Sequence, residues 1–178
     1  MASIREGKRR EYLIFALLLI LAVVGSIILN YDPEVEAIEF VAREYVGNLQ
    51  GETFLAAGQY VYPQNLIELK QSAIQKAGMN EGFRQEILRA LSVASLEDLR
   101  SVSKERFFEF LVKRSFAQHN RTYEIIKKAK VIGVKVRRKK DRAWAQVSFR
   151  LVEDSVEKRF RMRLKLKNEN GWFVMLYE

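Results

Sequence analysis

The chain of 178 residues contains no cysteine and a single histidine, His119. The absence of cysteine excludes disulfide bonds, thiolate metal ligands and cysteine nucleophiles. With one histidine, a metal site built from several imidazoles is excluded, and a serine hydrolase would have no histidine base other than His119. We therefore predict no cofactor and no bound metal, and the composition favours a protein that is not an enzyme.

Proline and glycine are also scarce, with two and nine copies, while 48% of the residues are hydrophobic and 30% are charged. This composition excludes a collagen-like repeat and argues against a disordered chain. Beyond the N-terminal apolar segment about 145 residues remain, which suits one domain of ordinary size.

Acidic residues are scarce in one part of the chain only. Residues 121–178 carry 17 Lys and Arg against 7 Asp and Glu, whereas residues 1–120 carry 14 against 15. The formal net charge of +9 therefore belongs to one part of the molecule. Such a distribution predicts a basic face and not a uniformly basic surface.

The N-terminal region contains an uncharged apolar run over residues 12–29. As a helix, this run spans about 27 Å, close to the hydrocarbon thickness of a bilayer. Cations precede the run and acids follow it, so the positive-inside rule predicts a cytoplasmic tail over 1–11, a transmembrane helix over 12–29 and an extracytoplasmic domain over 30–178. The sequence thus predicts a single-pass protein of the cell membrane. A signal peptide cleaved near Ser26 is the alternative.

Helix signals dominate residues 33–119. Asp32 and Pro33 predict an N-capped helix that runs to about Gln50. Further helices are predicted over residues 53–59, 66–77, 80–91 and 95–100, and from a cap at Ser103 onward, with Pro63 interrupting the chain between two of them. We expect His119 to cap the C-terminus of the last helix and not to bind a metal.

From residue 123 onward, apolar and polar residues alternate with period two. The alternation predicts an antiparallel meander of about four strands, in which Ile132, Val134 and Val136 point inward from the first strand. Because helices precede strands, the predicted fold class is α+β, with helices packed on one face of a curved antiparallel sheet.

Three of these segments resemble the nuclear-transport-factor-2-like superfamily, also called cystatin-like or ketosteroid-isomerase-like. The resemblance covers residues 33–63 and 128–178, and residues 64–119 are longer than the middle of that family. It is carried by Val35, Ile38 and Val41 in the first helix, by Gly51, Phe54, Ala56 and Ala57 around the second, and by Gly171, Trp172, Phe173 and Val174 at the end. It implies a cone of helices against a strongly curved sheet.

The layout of one span followed by such a domain also resembles the bitopic scaffold subunits of secretion and conjugation machines. That resemblance is an analogy of layout, and the Asn-Pro-x-Gly turn expected of the type IV secretion subunit is missing. It implies that the protein works by binding other envelope proteins and by self-association.

The candidate partner-binding site is a row of cations at two-residue spacing on the third predicted strand. Residues at this spacing project from the same side of a strand. We expect Arg137, Trp144 and Arg150 to join the row from neighbouring strands, so that the complete predicted site consists of Arg137, Trp144, Arg150, Arg159, Arg161, Arg163, Lys165 and Lys167.

Several readings of this site stay open. It suits an acidic protein, an anionic lipid or an anionic envelope polymer, or it is a solvated face that protects the sheet from aggregation. Nucleic acid is disfavoured because a row of stacking aromatics is lacking.

The inward strand positions carry no ionisable group that would serve as a catalytic base. The sequence therefore predicts a non-catalytic, membrane-anchored scaffold or assembly module. The module would bind other envelope or secretion-complex proteins through its basic sheet face and would self-associate. Two alternatives remain: a module that binds a lipid or small apolar ligand in the cone pocket, and an isomerase- or dehydratase-like enzyme.

Overall fold

The structure, a computed structural model, describes residues 17–21 and 32–177. The chain divides into two compact units, Met1–Glu34 and Val35–Glu178. In the first unit, residues 17–21 are helical. All the strands and nearly all of the helical residues described below belong to the second unit.

No helix within residues 17–21 and 32–177 is long and apolar enough to cross a membrane. Residues 17–21 are the described part of the predicted span over residues 12–29, and the remainder of that span lies outside the described residues, as does the predicted tail over 1–11. The finding contradicts the predicted N-terminal transmembrane helix, and the single-pass topology and cell-membrane location that depended on it are not retained.

Seven helices precede the sheet in residues 32–177. They are α1 Pro33–Gln50, α2 Phe54–Gly58, α3 Pro63–Met79, α4 Glu81–Leu91, α5 Leu96–Leu99, α6 Lys104–Gln118 and α7 Asn120–Lys128. Their starts follow the predicted caps, because the side chain of Asn80 accepts from the Phe83 N–H at 2.8 Å and that of Ser103 from the Arg106 N–H at 3.3 Å. These bonds satisfy N–H groups that have no partner within the helix.

Pro63 begins a helix where an interruption was expected. It occupies the first turn of α3, where the missing N–H of proline costs nothing because that group has no partner inside the helix. The predicted stop at Gly78 also falls inside α3, which ends at Met79.

The four strands are β1 Lys130–Lys139, β2 Arg142–Glu153, β3 Val156–Asn168 and β4 Trp172–Met175. They form one antiparallel sheet in the order β1-β2-β3-β4. The turns between them contain left-handed residues, among them Asp154 (φ 49°) and Asn170 (φ 58°), and these are residue types that tolerate this conformation. The α+β class and the four-stranded antiparallel sheet agree with the prediction.

The sheet begins later than the sequence pattern predicts, because α7 occupies residues that were expected to enter the first strand from residue 123. Tyr123 and Ile125 favour strands in isolation. A distant contact fixes the end of α7: the side-chain amide of Gln50 donates to the backbone carbonyls of Ile126 and Ala129, both at 2.6 Å.

A β-bulge in β1 overturns one predicted inward residue. Pairing with β2 passes from Val131 directly to Gly133, so Ile132 is the extra residue. Ile132 is 44% exposed, and Val131 packs against the core in its place. The predicted inward Val134 is buried.

Two clusters of buried side chains stabilise the second unit. The larger packs α1 and α2 against the inner face of the sheet, where Ala145, Val147 and Phe149 are fully buried. The smaller lies among α3, α4, α5 and α6 and includes Ile87 and Phe107. The helices therefore cover one face of the sheet, as predicted, and the opposite face is not covered by them.

Candidate docking face of the sheet

The outward side chains of β1, β2 and β3 lie in rows across the sheet, because the antiparallel register sets them directly opposite one another. Such neighbours have Cβ atoms about 4.5–5.5 Å apart. One of the inner rows is Arg137, Trp144 and Lys165, and the two outer rows consist of cations alone: Lys130, Arg150 and Arg159 at one end, and Lys139, Arg142 and Lys167 at the other.

All eight predicted site residues lie on this one face. Arg137 is on β1, Trp144 and Arg150 are on β2, and Arg159, Arg161, Arg163, Lys165 and Lys167 are on β3. Four further cations share the face: Lys130, Lys135, Lys139 and Arg142. We call these eleven cations and Trp144 the basic face.

Sequence reasoning missed the four further cations for identifiable reasons. Lys135 follows the same period-two pattern as Arg137, and that signal was sufficient to find it. Lys139 and Arg142 belong to the charged run 138–142, whose pattern is typical of a turn, whereas they form the last pair of the β1–β2 ladder. Lys130 could not be found, because the bulge at Ile132 reverses the alternation on its N-terminal side.

Most of the charge on the basic face is not neutralised by the protein. Within residues 32–177, Arg137, Arg150, Arg161 and Arg163 form no ion pair. The sole acid in outward register with these rows is Glu157, which accepts from Arg159 Nε at 2.6 Å.

The placement of these cations works against folding. Arg150 lies directly opposite Lys130 on one side and Arg159 on the other. Like charges at such positions destabilise a sheet. Stability alone therefore gives no reason to retain a row of three cations.

Lys167 differs from the other cations of the basic face. Its ammonium group donates to the hydroxyl of Tyr62 at 2.6 Å and lies 4.4 Å from the centre of that ring. This hydrogen bond raises the pKa of Lys167. Because Tyr62 directly precedes α3, Lys167 connects β3 to the helices and contributes less to the exposed charge than its position in the sequence suggests.

Trp144 lies near the middle of the basic face and is 38% exposed. Its register neighbours are Arg137 and Lys165. Protein interfaces are enriched in tryptophan and arginine at their energetically important centres.

A cavity of about 570 Å³ lies between α7 and the β2–β3 hairpin. Its lining combines apolar residues with four cations and two acids, and it includes Ile125, Leu151, Phe160, Arg121, Lys128, Glu124 and Glu153. Ligand pockets commonly measure about 300–1,000 Å³.

Carboxylates are absent from the core of the described part of the chain. In residues 32–177 the buried polar residue is Asn65, whose side chain accepts from the Leu176 N–H at 3.1 Å. Asp98 belongs to the capping box of α5, and Asp141 and Asp154 lie in exposed turns. Burial raises the pKa of Tyr45 to about 12.

His119 lies between α6 and α7, where its backbone N–H donates to the Ser115 carbonyl at 2.9 Å. It is exposed, in agreement with the predicted position at a helix end. No cluster of three or more potential metal ligands occurs in the residues that the structure describes.

Comparison of the chain with protein-family models, curated proteins and solved structures gives no match. The resemblance to the nuclear-transport-factor-2-like superfamily and the analogy to bitopic scaffold subunits stay predictions. The charge and geometry of the basic face are therefore the basis of the function proposed below.

Proposed function

We propose that this chain is a non-catalytic binding module that docks an acidic protein onto its basic face. The observation that carries the proposal is the set of eleven outward cations with one acid in register, of which four arginines lack an ion pair within residues 32–177. An acidic partner would supply the missing carboxylates and would relieve the repulsion along the cation rows.

The residue types favour a protein partner over nucleic acid. Arginine binds carboxylates through two parallel hydrogen bonds, and Trp144 offers an apolar contact among the arginines. Trp144 is the one aromatic residue in the rows that β1, β2 and β3 form, so the stacking series of a single-strand binder is not present there. Binding of nucleic acid is an outcome that the experiment below distinguishes.

The absence of a carboxylate from the described core supports a non-catalytic role, because proton transfer needs a positioned ionisable group. A second copy of the chain does not suit the basic face, since two such faces would repel each other. The predicted self-association would have to use a different surface, and sedimentation of the purified chain tests it.

Charge reversal on the basic face tests the proposal. Amine-reactive crosslinking in the native host, followed by mass spectrometry, identifies the protein that reacts with Lys135, Lys139 or Lys165. The affinity of the purified chain for that protein is then compared with the affinity of the double variant Arg161→Glu and Arg163→Glu. We expect at least about a tenfold loss of affinity and an unchanged circular dichroism spectrum.

The matched control reverses two exposed arginines elsewhere, Arg43→Glu and Arg89→Glu, and changes the net charge equally. An unchanged affinity in the basic-face variant would mean that the face is only a solvated surface. Equal losses of affinity in both variants would mean that only the net charge of the chain matters for binding. Nuclease treatment that abolishes crosslinking would assign the face to nucleic acid.

The cavity beside α7 supports a second candidate function, the binding of a small amphiphilic anion. Its apolar side chains, and its four cations against two acids, suit an alkyl chain with an acidic head group. Native mass spectrometry of the purified chain tests this candidate: a retained ligand that is lost in Ile125→Trp supports it, and a ligand-free protein that binds no added fatty acid contradicts it.

A further inference from the structure

One edge of β3 is open over most of its length. β4 pairs only with residues 165–168 of β3, whereas β2 pairs with β3 from Val156 to Lys167. Residues 156–164 therefore have a hydrogen-bonded strand on one side and, within the described residues, none on the other. Every second residue of such an edge presents an unpaired N–H and C=O pair to its surroundings.

The opposite edge of the sheet, on β1, is shorter and is protected only near its start, since Gly133 to Lys139 pair with β2 without a register shift. The bulge at Ile132 interrupts its ladder, and bulges are a common means of preventing edge pairing. The pairing of β3 with β2 runs without a register shift, so residues 156–164 form a regular edge. The two edges therefore differ in their capacity to accept a further strand.

The side chains along the open edge have two distinct chemistries. Arg159, Arg161 and Arg163 project outward on the basic face. Phe160 and Met162 project inward and pack against the core, but both are only half-buried. An additional strand on this edge would thus meet cations with one set of its side chains and apolar surface with the other.

We propose that the open edge of β3 binds an extended segment of the partner as a fifth strand, in which acidic residues alternate with apolar ones. The acids lie beside Arg159, Arg161 and Arg163, and the apolar residues extend the cover over Phe160 and Met162. This inference rests on the proposed function and specifies how the acidic partner is held.

A second copy of the chain is excluded as the occupant by charge. Two β3 edges paired with each other would bring the cation rows of both copies to neighbouring positions, where like charges oppose pairing. An acidic strand removes this repulsion and satisfies the backbone groups at the same time.

The test uses the 178-residue chain and three kinds of synthetic nine-residue peptide. The first alternates Glu and Val, the second has the same composition with its acids grouped at one end, and the third is the alternating peptide with N-methyl groups on every second backbone nitrogen, prepared in both registers. We expect the alternating peptide to bind about tenfold more tightly than the grouped peptide and than the methylated peptide whose pairing N–H groups are blocked.

Hydrogen exchange locates the bound peptide. We expect amide exchange within residues 156–164 to slow about tenfold when the alternating peptide binds, with alternate amides most affected, and exchange within residues 131–139 to be unchanged. Arg161→Glu with Arg163→Glu should weaken binding about tenfold, and Arg43→Glu with Arg89→Glu, outside the basic face, at most about threefold.

The outcomes separate this inference from the proposed function. Equal affinity for all three peptides, without protection of residues 156–164, would overturn strand addition and leave docking on the basic face intact. Protection of residues 131–139 instead would place the segment on β1 and would also overturn it. Failure of every acidic peptide, and of the crosslinked partner, to bind the chain would overturn both.

Discussion

The two faces of the sheet come from the same strands and differ in packing, charge and solvent contact. On β2, Ala145, Val147 and Phe149 are fully buried under the helices, while Trp144 and Ser148, one residue away, face outward. The inward set stabilises the fold by removing apolar surface from water. The outward residues of the three strands are mostly cations and repel one another, as where Arg150 lies between Lys130 and Arg159. The comparison teaches that stability and the candidate site are separable by substitution, since successive side chains point to opposite faces.

The largest expected effect comes from removing inward packing. Phe149 is fully buried and stacks on Phe160 with ring centres 4.8 Å apart. Phe149→Ala should lower the free energy of unfolding by about 3–5 kcal/mol, as measured by urea denaturation. The outward neighbour Ser148→Ala should change it by less than about 0.5 kcal/mol. Similar losses in the two variants would contradict the separation of the faces.

A second prediction concerns the stability of the fold at alkaline pH, where the buried Tyr45 matters. Burial raises the pKa of Tyr45 to about 12, above the unfolded value of about 10. Between pH 10 and 12 the folded state keeps this proton while the unfolded state loses it, so stability should fall as pH rises through that window. The contribution approaches about 3 kcal/mol at pH 12, at 1.36 kcal/mol per pH unit.

Tyr45→Phe isolates this contribution. Lysine and the other tyrosines titrate in both proteins, so the difference between the two stability curves reports Tyr45. We expect the curve of the variant to be flatter between pH 10 and 12. Parallel curves would indicate that the hydroxyl of Tyr45 reaches water.

The smallest expected effect has the opposite sign. Arg150 lies between two cations on the outward side, so Arg150→Gln should stabilise the fold by about 0.2–1 kcal/mol at low salt. Raising the ionic strength to about 1 M should remove most of the gain, because the Debye length falls to about 3 Å. Arg43→Gln on α1 is the control and should leave stability unchanged. A loss of stability in Arg150→Gln would mean that Arg150 has a structural role.

Local sequence patterns were sufficient to predict much of this architecture. The cap and proline at Asp32 and Pro33 predicted the start of α1, where the Asp32 carboxylate accepts from the Glu34 N–H at 3.0 Å. Period-two alternation predicted the basic face, because strand geometry fixes which side chains share a side. These features depend on residues close together in the chain.

The features that were missed depend on distant contacts. Gln50 donates hydrogen bonds to the end of α7 from 76 and 79 positions away in the sequence. Tyr62 accepts a hydrogen bond from Lys167, 105 positions away. The bulge at Ile132 follows from pairing with β2, and its one local signal is the neighbouring Gly133, since glycine inside a strand often marks a bulge. The open edge of β3 likewise depends on where β4 ends, and that is set by tertiary packing.

The separate cluster among the helices bears on which elements can change without affecting the sheet. Leu66 on α3 and Phe108 on α6 face the larger cluster, while Ala73 and Phe107 on the same two helices face the smaller one. α3 and α6 thus lie between the two clusters and contribute side chains to both of them. Substitutions in the cores of α4 and α5 should therefore change the packing of the smaller cluster and leave the packing under the sheet unchanged.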